Sequence, residues 1–291
     1  MKAELLYESQ SILAESPLWH AERKCCYWVD IDNGLLYEYN WHHLKTRFWK
    51  FNYKLTLVIQ GKGNNQLILA LNAKIARFDL ESESLEWLLD VEIPPSENRC
   101  NDGACDSLGR LWVGTMHLEH KNEAGALYLI DANLNVHKKL DHISISNGLV
   151  WSLDNKRLYY VDSPTQVVQS FIFEEESGEI IFEKNAVQIP IEMGTPDGIT
   201  IDEEGMLWIA HWGGFGVYRW DPLTGQLKGK IELPIPQVSS CAFAGDNLDY
   251  LVITTARENM KEEDLKKYPE SGNVFWVKPG VKGFASNKCA F

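Results

Sequence analysis

Residues 147–162 read NGLVWSLDNKRLYYVD, and residues 196–211 read PDGITIDEEGMLWIAH. Both open on a small-residue turn, Asn-Gly in one and Pro-Asp-Gly in the other. Both then run through an apolar strand, a tight Asp-containing hairpin and a second apolar strand. The same form recurs in SPLWHAERKCCYWVD (16–30), NDGACDSLGRLWVGT (101–115) and SSCAFAGDNLDYLVITT (239–255), with a degraded copy in GKGNNQLILAL (61–71). Most copies lead into a third, aromatic-rich strand: GLLYEYN, GALYLID, GVYRWD, GNVFWVK. The copies begin near Glu15, Gly61, Asn101, Asn147, Asp197 and Ser240, a period of roughly 40–50 residues that matches propeller blades. One such blade cannot bury both of its faces, so it must pack on two neighbours until the ring closes. The expectation is an all-β chain: a six-bladed β-propeller of four-stranded blades around a central channel. Six copies consume the chain, so residues 1–291 are expected to form one domain.

The rest of the sequence agrees with this reading. The 291 residues are 45% hydrophobic and 11% aromatic, enough for a large core. Helix-like periodicity is confined to NMKEEDLKKY, Asn259–Tyr268, which is short and charged and reads as a surface turn. A formal net charge of -13 repels phosphate backbones and argues against a nucleic-acid partner. No run reaches the roughly 18 apolar residues of a membrane span, and MKAELLYESQ lacks the features of a secretory leader. Cys25, Cys26, Cys100, Cys105, Cys241 and Cys289 lack CxxC spacing and read as reduced thiols of a cytoplasmic protein. Cys25 and Cys26 should point to opposite faces of one strand. A monomer is the default.

Aligning the copies on their second strand exposes the chemistry. Glu15 lies fifteen residues before Asp30, and Asn147 fifteen before Asp162; Asn101 lies fourteen before Thr115, and Asp197 fourteen before His211. The difference of one residue is the longer hairpin in SLDNK. Four blades thus present Glu, Asn, Asn and Asp at the start of the innermost strand, and equivalent positions around a ring aim at one centre. Any one of these is an ordinary turn residue; the joint pattern is not. Converging carboxylates repel and are costly to bury unpaired. Glu15, Asp197 and the amide oxygen of Asn147 would suit one divalent cation: calcium, magnesium or manganese, with zinc also admitted. Three protein ligands leave coordination positions open, as catalytic sites require.

These residues carry a resemblance. AESPLW with Glu15, RCNDGACDSLGRLWVGTM with Arg99 and Asn101, SNGLVWSLDNKRLYYVDS with Asn147, and PDGITIDEEGMLWIAHWGG with Asp197 resemble the regucalcin and gluconolactonase family, which includes luciferin-regenerating enzymes. SSCAFAGDNLDYLVITTAR extends the likeness into the last blade, so that it runs from about residue 10 to about residue 277. The resemblance implies a six-bladed propeller in which Glu15, Asn147 and Asp197 bind one divalent metal. It also implies that Arg99, Asn101 and Glu119 contact the substrate, Glu119 by its place in GTMHLE. The adjoining loop, EHKNEAG, is shorter than in animal members, which affects the reach of Glu119.

The activity expected from this set is metal-dependent hydrolysis of a small-molecule sugar (aldono-) lactone such as gluconolactone. Asp197 would act as ligand and general base together, with a water activated by the ion as the competing nucleophile. Arg99 offers a planar fork of donors for sugar oxygens. Trp19, His117 and Trp212 are candidate rim residues, whereas His211 reads as packing within an inner strand. Two rivals stand beside this: a non-catalytic calcium-binding propeller, and a related esterase or lactonase with another substrate.

Overall fold

Six four-stranded antiparallel sheets make up the protein in a computed structural model that describes all 291 residues. They are the blades of a six-bladed β-propeller. The inner strands are Ala14–His20, Leu55–Gln60, Asn98–Cys105, Ser146–Trp151, Thr195–Ile201 and Val238–Ala244. They touch one another in ring order, the last against the first. Blades 1 to 5 are built consecutively. Blade 6 takes its outer strand from the far end of the chain: Glu4–Tyr7 pairs antiparallel with Val274–Val277. That clasp joins the two termini, and the 40–50-residue period does not reveal it.

The core consists of six clusters, one at each blade interface. Tyr27 and Val29 meet Leu67 and Leu69 between blades 1 and 2. Trp28 and Tyr37 meet Val252 and Val274 where blade 6 closes on blade 1. Each large side chain buried there stabilises the ring by about 1.5–3 kcal/mol, so stability resides between blades. Cys25 and Cys26 belong to different clusters, as neighbours on opposite faces of a strand must. All six cysteines are buried and unpaired.

The hairpins explain the recurring Asp-x-x-Gly-x-Leu-Trp text. The Oδ1 of Asp106 accepts from the backbone N–H of Leu108 and Arg110, while its Oδ2 accepts from the Trp112 indole at 3.0 Å. Asp202 repeats this with Glu204, Met206 and the Trp208 indole at 2.9 Å. Gly109 and Gly205 close these turns at φ of 77° and 78°, a conformation that strongly favours glycine.

Three expectations need correction. The second copy begins earlier than Gly61: its inner strand is Leu55–Gln60, and Gly61 lies in the hairpin after it. The text before LTLVIQ, KFNYK, is not a small-residue turn, which hid the strand. Asn259–Tyr268, expected as a surface turn, carries a short helix over Glu262–Lys267; Asn259 lies outside it at a φ of 58°. His211 lies in the second strand of blade 5, not an inner strand. No helix is long and apolar enough to cross a membrane.

Candidate active site in the central channel

Each inner strand carries one extra residue relative to its partner strand. In blade 3 the pairing passes from Cys100–Thr115 to Gly103–Val113, in blade 4 from Ser146–Asp162 to Leu149–Tyr160, and in blade 5 from Pro196–His211 to Ile199–Ile209. Blade 1 slips equally between Glu15–Val29 and Leu18–Tyr27. A bulge bends the strand and re-aims a side chain. Asn101, Asn147 and Asp197 occupy these bulges, and Glu15 sits at the edge of its own. The six equivalent positions are Glu15, Thr56, Asn101, Asn147, Asp197 and Ser239. The NG and DG pairs are therefore strand positions, not turns. Glycine comes after the site residue because inner strands crowd: a Cβ on Gly148 would lie 2.7 Å from the Asp197 carbonyl oxygen.

The bulges bring Glu15, Arg99, Asn101, Asn147 and Asp197 onto the wall of one cavity of about 520 Å3 at the end of the channel where inner strands begin. Glu15, Asn147, Asp197 and Arg99 are 6–9% exposed. Asn147 donates from Nδ2 to Ser163 Oγ at 2.8 Å, and Ser163 Oγ donates to the Pro196 carbonyl at 2.7 Å. Asn101 is already committed within the chain. Its Oδ1 accepts from Arg99 Nη1 at 2.5 Å, and its Nδ2 donates to the Ser146 carbonyl at 2.7 Å and to Asn147 Oδ1 at 3.3 Å. Arg99 also donates to the Cys100 carbonyl at 3.0 Å; its remaining donors have no partner in the chain.

The electrostatics are those of charges held apart from water. Burial pushes the Glu15 carboxyl up to about 8, aided by Asp102; the Ser16 N–H and Arg99 oppose it. Asp197 is raised well above the usual carboxylate range by burial and then by Glu15, Asp102 and Glu258. Asp102, on the same channel below the site, is raised to about 6 by burial. Asp197 Oδ1 is buried with no hydrogen-bond partner, a costly state for a carboxylate unless something positive faces it.

A divalent ion fits this donor set. No three His, Cys, Asp or Glu side chains converge to hold a metal by themselves, so the set needs the Asn147 amide oxygen as its third donor. All three donors are oxygens, two belong to carboxyl groups, and one of those carboxyl oxygens has no partner.

Other expected residues are placed differently. Glu119 is not among the residues lining the cavity; its carboxylate is 77% exposed and lies 3.8 Å from Lys121 Nζ. The strand ends at His117, and the turn Leu118–His120 brings His120 to the wall instead. His117 pairs with Glu97 at 3.0 Å and does not line the cavity. Trp19 is 4% exposed in the cluster between blades 6 and 1. Trp212 does line the cavity. His211 is fully buried, stacks on Tyr218 at 4.0 Å, and is lowered to about 4 by burial.

Residues 13–257 match the SMP-30/Gluconolactonase/LRE-like region. The chain belongs to the SMP-30/gluconolactonase/LRE-like family. A relative from Bacillus subtilis named "Putative sugar lactone lactonase YvrE" is 33% identical, with 98% of this chain and 97% of that protein aligned. Human regucalcin is 31% identical over the same shares of the two chains. A solved structure of luciferin-regenerating enzyme superposes with a TM-score of 0.90 at 32% identity, covering 96% of each chain. This member of the family uses, besides the expected residues, Ser163, Gln166, Thr195, Gln237 and Glu258 as cavity wall. Several of these sit in loops that leave the second strand of a blade. The copies end at that strand, so the position just past each copy was the signal available for Ser163 and Glu258.

Proposed function

We propose that the protein is a metal-dependent hydrolase of sugar lactones. The observation carrying this reading is the pair Glu15 and Asp197: two buried carboxylates facing one cavity, each raised in pKa, one with an orphaned oxygen. Family membership supports a lactonase-type activity. Glu15, Asn147 and Asp197 would hold the divalent ion, which when bound supplies Lewis-acid polarisation of the lactone carbonyl.

The chain's own residues do the rest. Arg99 binds substrate oxygens through its uncommitted N–H groups. Asn101 holds both Arg99 and Asn147 in place. Asp197, on the cavity wall with one unpartnered oxygen, takes a proton from the attacking water. Hydroxide adds to the carbonyl carbon, the ring C–O bond breaks, and the proton returns to the departing oxygen. The product is the hydroxy acid.

The test is a panel of five- and six-ring aldonolactones beside an aryl ester, read with a pH indicator. It uses metal-stripped protein with calcium, zinc, magnesium or manganese restored singly. Turnover of an aldonolactone that needs a restored ion supports the proposal. Cation binding without turnover of any lactone favours the non-catalytic reading instead, and preference for the aryl ester favours a different hydrolase.

A further inference from the structure

Glu258 is the one cavity carboxylate that neither the bulges nor the resemblance foresaw. It sits in the loop between the second strand of blade 6, Tyr250–Thr255, and the helix Glu262–Lys267. That loop is tied down. The Arg257 N–H donates to the Ile12 carbonyl at 2.9 Å, and its guanidinium donates to the Ser271 carbonyl at 3.1 and 3.4 Å. Gln237 Nε2 donates to the Glu258 carbonyl at 3.0 Å, and Met260 N–H to the Arg257 carbonyl at 3.1 Å. The backbone is therefore positioned, while the Glu258 side chain has no hydrogen bond or ion pair in the chain and lines the cavity.

The charge pattern says what it faces. Glu258 shares the cavity wall with Arg99 and Asp197, and its charge acts on both. A hydroxyl group donates one hydrogen bond and accepts others. Arg99 supplies donors only; a carboxylate supplies acceptors only. A guanidinium and an uncommitted carboxylate on one cavity wall thus make a matched reader for a polyhydroxylated chain. Glu119, the acidic residue expected in this role, is outside the cavity.

We propose that Glu258 determines specificity for hydroxylated lactones by accepting a hydrogen bond from a substrate hydroxyl opposite Arg99. This rests on the lactonase reading. The residue touches substrate but takes no part in proton transfer, so its removal should act through the hydroxyls alone.

The experiment compares E258A and E258Q with the unmodified protein on D-glucono-1,5-lactone and on δ-valerolactone, the same six-membered ester without hydroxyls. E258A is expected to lower kcat/KM for gluconolactone about 10- to 100-fold, in keeping with a lost hydrogen bond to a charged group. For δ-valerolactone it should change kcat/KM by less than about twofold. E258Q keeps an acceptor and should recover part of the loss. Rates are read at saturating calcium or zinc, so that the charge lost near Asp197 does not enter the comparison. Equal losses on both lactones, no loss on gluconolactone, or a hydroxyl-dependent loss carried by E119A instead would each overturn the assignment. If the unmodified protein opens neither lactone, the proposed function falls and takes this inference with it; an active protein showing any of the contrary results overturns this inference alone.

Discussion

Asn147 Nδ2 donates to Ser163 Oγ across 2.8 Å, and that bond decides which way the Asn147 carbonyl oxygen faces. Ser163 spends its own proton on the Pro196 carbonyl, so its oxygen can only accept. The amide nitrogen must point to Ser163, and Oδ1 turns toward Asn101 and the cavity. Ser163→Ala removes the anchor without touching the ion's proposed donors. Outer partners of this kind typically account for 10–100-fold in metal affinity. Calorimetric titration of the S163A protein should therefore show calcium or zinc binding weakened at least about tenfold, with the circular dichroism spectrum unchanged. Undiminished affinity would remove the Ser163–Asn147 bond from the account.

Protonation of the site should be visible in the metal-free protein's stability. Glu15 is pushed up to about 8 and Asp102 to about 6 by burial, and Asp197 is raised by burial and by Glu15. Between the ordinary carboxylate range, near pH 4, and about pH 8 the folded chain therefore holds protons that the unfolded chain has released. Stability falls wherever the folded state binds more protons and pH rises. The melting temperature of stripped protein should accordingly drop as pH rises from about 6.5 to about 8.5, above the range in which buried His211 contributes the opposite slope. Saturating calcium should flatten that slope, as should Glu15→Gln. Scanning calorimetry on stripped protein that shows a level or rising melting temperature across this window would contradict the buried carboxylate pair.

Asp197 combines the orphaned oxygen with the strongest acidic surroundings. Asp197→Asn keeps the shape and the Gly198 contact but removes the base and one ligand charge. Lactone hydrolysis should fall about 10²–10⁴-fold, the usual contribution of a positioned acid or base. Rates would be compared at saturating metal, so that weakened binding does not stand in for lost chemistry. Hydrolysis at the unmodified rate after exhaustive chelation would end the metal hypothesis.

The inner-strand glycines make a prediction about stability rather than chemistry. A Cβ on Gly198 would lie 2.1 Å from Ser240 Oγ, 2.6 Å from its Cβ and 2.8 Å from its Cα, whereas one on Gly229 would meet nothing within 4 Å. Gly198→Ala should destabilise by about 1–3 kcal/mol through overpacking. Gly229→Ala should stay within about 0.5 kcal/mol of the parent. Urea denaturation of the two variants side by side provides the comparison, and equal midpoints would deny the close approach of blades 5 and 6.

Much of the site was legible because its residues recur. Asn101, Asn147 and Asp197 stand at matched distances from their second strands, and a ring turns matched positions into a shared centre. Glu15 emerged from the same spacing. Thr56 and Ser239 fill the remaining two positions with hydroxyls that give no charged signature, so blade 2 was misplaced by several residues. Asn101, expected on the substrate, lines the cavity, and its amide also bonds Arg99, Ser146 and Asn147, which the sequence did not indicate. Glu119 and Trp19 were placed near the site from their neighbours in the chain. A strand alternates its faces, and a turn rotates the residues beyond it; sequence distance alone says nothing of either.

The repeats by themselves determined the propeller, the number of blades and the ring of polar residues at its axis. Blade formation is local: hairpins capped by Asp106 and Asp202, strands of period two, and an apolar face that needs a neighbour. Only the tertiary structure decided the clasp of Glu4–Tyr7 on Val274–Val277, the orientation of Asn147 through Ser163, and the arrival of Glu258 on the cavity wall that also holds Arg99. Each depends on groups from distant parts of the chain that meet only once the ring has closed, and no periodic pattern records which partners those will be.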